Sequence, residues 1–152
     1  QDDGQMAGLL AVAPGKKVVC GGTTSNIIAR EWKVPLTVDL RYCSPKIPPL
    51  GRMPGADLVT EGIITISGAL EKLKLLFQGK GMGQVLTGED GANLLARFLW
   101  ESDEVHFLVG GAINPAHQNP DLPSGLALKE QVISELTHCL EKAGKEVQVT
   151  SF

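Results

Sequence analysis

The stretch Val18-Val-Cys-Gly-Gly-Thr-Thr-Ser-Asn26 changes character twice, from an apolar run to two glycines and then to four small polar residues. Ile27-Ile-Ala-Arg-Glu-Trp32 follows at once and reads as the first turns of a helix. Strand, glycine turn and capped helix start together form the unit from which α/β proteins build ligand sites. Backbone N–H groups left free at a helix start point outward, and the helix dipole favours negative charge there. Thr23, Thr24, Ser25 and Asn26 all suit an N-cap or a hydroxyl donor. The stretch is not a P-loop, because no Gly-Lys-Ser/Thr follows at the required spacing. The same glycines also suit a plain strand-to-helix turn that holds nothing, and both readings stand on these residues alone.

The rest of the chain repeats the alternation of strands and helices. Met6–Val12 and Lys17–Cys20 are short apolar runs joined by the turn signal Ala13-Pro-Gly-Lys16, and read as a hairpin or as one strand with its feeder. Lys33-Val-Pro35 ends the first helix, and Leu36–Leu40 alternates as a half-buried strand. Residues 43–55 carry Pro45, Pro48, Pro49 and Pro54 and read as an extended loop unable to join a sheet. Leu70, Leu73, Leu76 and Phe77 recur at helical spacing, and glycines from Gly79 to Gly83 end that helix. Asp90 is placed to cap the next, whose apolar side is Leu94, Leu95, Phe98 and Leu99. Val105–Val109 reads as a buried strand broken by Gly110-Gly111. Leu128, Val132, Ile133, Leu136 and Leu140 define a long amphipathic helix closed by Gly144 as a C′ glycine, and Glu146–Phe152 alternates as a last strand. The expected fold is α/β, a layered and at least partly parallel sheet with about four helices, in a single domain spanning 1–152.

Net charge and cysteine usage narrow the function classes. A formal charge of −3 gives no basic footprint, which argues against nucleic acid and anionic membranes as partners. No apolar run approaches the ~20 residues of a membrane span, and Gln1-Asp-Asp-Gly does not resemble a signal peptide. Cys20, Cys43 and Cys139 are odd in number and widely spaced, as expected of reduced packing thiols in a cytoplasmic protein. The opening on two acidic residues directly before an apolar run is what a domain cut from a longer protein would show.

Ligands of open α/β sheets collect beyond the carboxyl ends of parallel strands. Three loops here are rich in small or polar groups. They hold Gly21, Gly22, Thr23, Thr24, Ser25 and Asn26; Asp57, Thr60 and Glu61; and Asn114, His117 and Asn119, with Gln118 and Asp121 alongside. Parallel neighbouring strands would bring the three into one pocket. Alternatively, Asp57 and Glu61 simply cap backbone groups around their turn, and His117 is a surface residue. His106 and His138 read as packing histidines, and Trp32 and Trp100 as core or interface aromatics. No histidine pair has metal spacing, and no Gly-x-Ser-x-Gly elbow is present.

Three segments taken together resemble a known family. Lys17–Asn26, Ile47-Pro-Pro49 with Asp57–Ile63, and Val109–Leu122 are similar to the C-terminal region of bacterial stage II sporulation protein E-like phosphatases. Those belong to the metal-dependent PPM (PP2C-type) serine/threonine phosphatases. Their last catalytic motif is an Asp-Asp or Asp-Asn pair entering a strand, and its first aspartate binds Mn²⁺ or Mg²⁺. Asp2-Asp3 resembles that pair, which makes Asp2 the candidate metal ligand and residues 1–13 the candidate last strand of an upstream phosphatase domain. Gln5 stands where the motif has Thr or Ser, and Gly4 replaces an apolar residue. The family's upstream acidic motifs have no counterpart in this chain, and a binuclear site needs several carboxylates from separate strands. The resemblance therefore implies Mn or Mg in the full-length phosphatase, none held by this chain alone, and no catalytic residue within it. It implies an accessory module for regulation, dimerisation or ligand binding, partnered by the upstream domain, a phosphoprotein substrate or a second copy. The rival reading is a stand-alone α/β enzyme or binding protein for a phosphorylated or nucleotide-like small molecule.

Overall fold

The computed structural model describes residues 2–41, 44–110 and 125–152. Asn114, His117 and Asn119, with Cys43, lie outside the described residues. Helix α1 (Asp3–Val12) leads to strand β1 (Val18–Cys20), helix α2 (Gly22–Trp32), and strands β2 (Thr37–Asp39), β3 (Leu50–Arg52) and β4 (Leu58–Thr60). Helices α3 (Ile63–Phe77), α4 (Met82–Val85) and α5 (Gly91–Glu101) follow, then β5 (Glu104–Val109), α6 (Gly125–Lys142) and β6 (Glu146–Ser151).

One sheet runs β1-β4-β3-β2, with β1 and β4 parallel and β3 antiparallel to both its neighbours. A second pair, β5-β6, is parallel along its whole length, from Glu104↔Glu146 to Val109↔Ser151. Successive residues of a strand face opposite sides, and here the two sides are two cores. Val18, Cys20, Leu58, Val105 and Phe107 pack with α3, α5 and α6 around the fully buried Leu73, Leu136 and Leu140. Val19, Val59 and Leu108 pack with α1 and α2 around Ile28. The result is an α/β fold of three layers, with parallel strands in both sheets and six helices among the described residues. The two helices beyond the expected four are α1 and α4.

Four expectations need correction. Met6–Val12 is helical, not a strand: Met, Ala and Leu favour helix over sheet, and only Val12 is β-branched. Met6 and Ala7 are buried against α2, and Trp32 Nε1 donates to the Ala7 carbonyl at 2.9 Å. The proline-rich loop contains β3, because Pro48, Pro49 and Pro54 flank Leu50–Arg52 without entering it. Gly51 allows the close pairing, since a Cβ there would lie 2.8 Å from Val59 Cγ1. Strand β2 is a mostly exposed edge, with Val38 67% exposed. His106 and His138 are both exposed, and His106 Nε2 sits 2.8 Å from Thr150 Oγ1.

Helix α6 buries Val132, Leu136 and Leu140, with Ile133 half-buried and Leu128 exposed. Its end is a Schellman cap: Lys145 N–H donates to the Leu140 carbonyl and Gly144 N–H to Glu141, with Gly144 at φ +89°. Lys145 also donates to the carbonyls of Trp100 and Ser102 and lies over the Trp100 ring. Among the described residues no helix is long and apolar enough to cross a membrane.

Candidate functional site

The parallel pairing of β1 and β4 sets Cys20 beside Thr60, so both strands end at the same edge of the sheet. Each then enters a glycine and a helix. Gly21 N–H donates to the Thr60 carbonyl at 2.9 Å, tying the two turns together. Their backbones nearly touch: a Cβ on Gly62 would lie 3.3 Å from the Gly21 Cα. Gly21 has φ +106° and ψ +136°, a conformation open only to glycine. The Gly21–Asn26 loop and the Thr60–Gly62 end of the second loop therefore meet, as parallel neighbours should.

Asp57 is not part of that meeting point. It precedes β4, at the opposite end of the strand, where its carboxylate accepts the Lys17 N–H at 2.7 Å. Glu61 is at the right edge but is turned onto α3, accepting the N–H groups of Ile64 at 3.1 Å and Thr65 at 3.4 Å. Both carboxylates thus cap backbone groups. Thr60 is 4% exposed and spends its hydroxyl on the Glu61 carbonyl. Ser25, 3% exposed, donates its hydroxyl back to the Gly21 carbonyl, and Asn26 Nδ2 donates to Gly22.

The start of α2 is different. Among the described residues no side chain caps it, and the first intrahelical bond is Ser25 N–H to the Gly21 carbonyl at 2.8 Å. The N–H groups of Gly22, Thr23 and Thr24 therefore face outward from the helix end, beside the half-buried hydroxyls of Thr23 and Thr24. Three backbone donors, two hydroxyls and a positive helix end can hold an anion's oxygens. The one thiol nearby, Cys20, is pushed up to about 11, chiefly by burial and against the hydrogen bond of Thr60, so it stays protonated and unreactive at neutral pH.

The candidate metal ligand Asp2 is exposed at the start of α1, where its carbonyl accepts the Met6 N–H. Its neighbour Asp3 is held by Arg30 at 2.7 Å. No group of three or more potential ligands occurs among the described residues. One exposed carboxylate is too small a donor set to hold Mn²⁺ or Mg²⁺ by itself.

Two surface grooves share no lining residue with the starts of α2 and α3. One, of about 450 Å³, runs between α6 and β6 past Glu130, Ser134, His138 and Val149. The other, of about 430 Å³, lies beside β3 and β4 around Arg52, Pro54 and Asp57. The stripe Glu130, Ser134, Thr137, His138, Glu141 at helical spacing was the available signal for the first. The second is assembled from residues around two strands too short to show a period.

Compared with protein-family models, curated proteins and solved structures, the chain matches none.

Proposed function

We propose that this chain is the C-terminal accessory module of a stage II sporulation protein E-like metal-dependent serine/threonine phosphatase, and that it holds a small anionic ligand at the start of α2. The ligand class is a phosphorylated or nucleotide-like molecule, and binding regulates the upstream catalytic domain. The observation that carries the ligand site is the uncapped start of α2 beside the start of α3, which Glu61 fills. The glycine pair supports it, because Gly21 and Gly22 remove side chains where a ligand must approach backbone. The charge of Glu61 at the same edge is offset in part by the N–H groups and dipole of α3 that it caps.

Calorimetric titration of the 152-residue chain with inorganic phosphate, and then with a nucleoside monophosphate, tests the site. The discriminating variant is Gly22→Asp. A Cβ at Gly22 meets nothing within 4 Å, so the side chain is accommodated and its carboxylate occupies the helix start. Saturable binding by the parent chain, lost in Gly22→Asp, is the expected result. No binding by either, or equal binding by both, refutes the site. Metal-dependent hydrolysis of p-nitrophenyl phosphate by this chain alone, abolished in Asp2→Ala, would overturn the accessory role instead.

A further inference from the structure

Among the described residues, strand β6 has a partner on one side only. Glu146 N–H donates to the Asp103 carbonyl and Phe152 N–H to Val109, so the even-numbered residues of β6 turn their backbone groups to β5. Alternation then turns Val147, Val149 and Ser151 outward, leaving three N–H and three C=O groups unpaired along the free edge among the described residues. Exposed edges are normally blunted by proline, lysine, a bulge or shortness. The other sheet's β2 edge is blunted: it is three residues long, follows Pro35, and is flanked by the Asp39–Arg41–Arg52 charge cluster. Glu146-Val-Gln-Val-Thr-Ser151 has no proline, lysine or bulge, and its Val149 is 47% exposed.

The geometry points to a second copy of this chain as the partner, joined through an antiparallel β6–β6 pairing about a two-fold axis at Val149. The donor and acceptor pattern is self-complementary in that register alone among those centred on an outward residue. Val149 exchanges both bonds with its own copy, and Val147 pairs with Ser151 in both directions, so every outward group is satisfied. A register centred on Val147 or Ser151 leaves outward groups unmatched. The side chains agree with the backbone. Val147, Val149 and Ser151 share the face that carries α6, and Val149 and Ser151 line the groove of about 450 Å³ beside that helix. The two-fold sets α6 antiparallel to its copy across the paired grooves. There, the small side chains of Ser134 and Thr137 let the two helices approach.

Sedimentation equilibrium of the full 152-residue chain reads the assembly directly. A concentration-dependent dimer is expected. Val149→Pro removes an outward N–H that β5 does not use, and Val149→Lys places a charge on the axis while sparing the backbone. Both are expected to be monomeric with the circular dichroism of the parent. Register is read by cysteine cross-linking: Val149→Cys should form a disulfide-linked dimer under mild oxidation, since directly opposed residues have Cα atoms about 5.5 Å apart. Gln148→Cys, on the opposite face, should not. A parent chain monomeric at its highest attainable concentration overturns the inference. So does a dimer that persists in both Val149→Pro and Val149→Lys, or one that cross-links equally from position 148.

Discussion

Helices α2 and α3 begin in the same way and finish the job differently. Each follows a three-residue parallel strand, each passes through a glycine, and the two glycines pack Cα to Cα. At α3, Glu61 folds back onto the N–H groups of Ile64 and Thr65. At α2 the equivalent place, just before the cap glycine Gly21, is Cys20, which packs against the core and does not fold back onto the helix start. A carboxylate in one turn makes it structural, and its absence from the other leaves donors for a ligand. The contrast shows that the glycine turn is only the scaffold of such a site. What decides its use is the residue just before the cap glycine, Cys20 in one turn and Glu61 in the other.

The comparison can be broken at its base first. Ile28 of α2 is 1% exposed and Leu73 of α3 is 0% exposed, so each helix is anchored by a large, fully buried side chain. Ile28→Ala and Leu73→Ala should each cost about 2–5 kcal/mol, the range for truncating a buried aliphatic residue. Urea unfolding followed by circular dichroism measures it. If Ile28→Ala costs far less than Leu73→Ala, α2 is loosely held and its start is no fixed cradle.

The strand ends beneath the turns give the next effect. Cys20 and Thr60 are register partners, and burial raises the Cys20 thiol from its ordinary 9.0 to about 11. The folded state therefore favours the protonated thiol. Its contribution is fully present below pH 9 and is lost as pH rises towards 11, where the folded thiol also ionises. At about 1.4 kcal/mol per pH unit the loss is roughly 2–3 kcal/mol. Melting temperatures of the parent should fall more steeply across this window than those of Cys20→Ala. Parallel pH profiles would mean that the thiol is hydrated and the edge more open than its packing indicates.

Neighbouring glycines in the α2 turn should behave oppositely. Gly21→Ala forces an L side chain to φ +106°, at a cost of order 1–3 kcal/mol. Gly22→Ala lies inside the helix with open space around its Cβ, and should be neutral or stabilising by up to about 1 kcal/mol. Equal effects in thermal unfolding would show that the turn is not fixed by Gly21.

How much of this was legible in the sequence follows from signal length. Helices α3, α5 and α6 repeat an apolar spacing over several turns, and the Val18–Asn26 turn is written in glycines and caps. Their existence and order could be read. Helix α1 could not, because Met6-Ala-Gly-Leu-Leu-Ala-Val12 is apolar on nearly every side and has no period to reveal it. It was placed by Met6, Ala7 and Trp32, a contact between segments 25 residues apart. Strand β3 was hidden by its flanking prolines, although Leu50–Arg52 contains none. At the site, the meeting of Gly21 with Gly62 was legible from topology, but the separation of Asp57 from Glu61 was not. Both fall in one hexapeptide, and only the pairing of Leu58–Thr60 with Val18–Cys20 shows that a strand lies between them. That Asp57 and Glu61 cap backbone groups was one of the two readings open in the sequence; which N–H groups each reaches rests on a rotamer that no pattern encodes.

The smallest effect tests the contrast itself. Glu61→Ala removes the side chain that fills α3, and losing such a cap costs about 0.5–2 kcal/mol. It also leaves the N–H groups of Ile64 and Thr65 facing the same edge as those of Gly22, Thr23 and Thr24. Phosphate should then bind at two adjacent helix starts, or more tightly across both, because a carboxylate has left and donors have been added. Combining Glu61→Ala with Gly22→Asp should move binding from α2 to α3, which titration calorimetry would register as restored binding in a protein whose original site is filled. A double variant that binds no phosphate while remaining folded would mean that an empty helix start is insufficient here, and that the half-buried Thr23 and Thr24, which α3 matches only with Ile64 and the buried Thr65, supply what holds the anion.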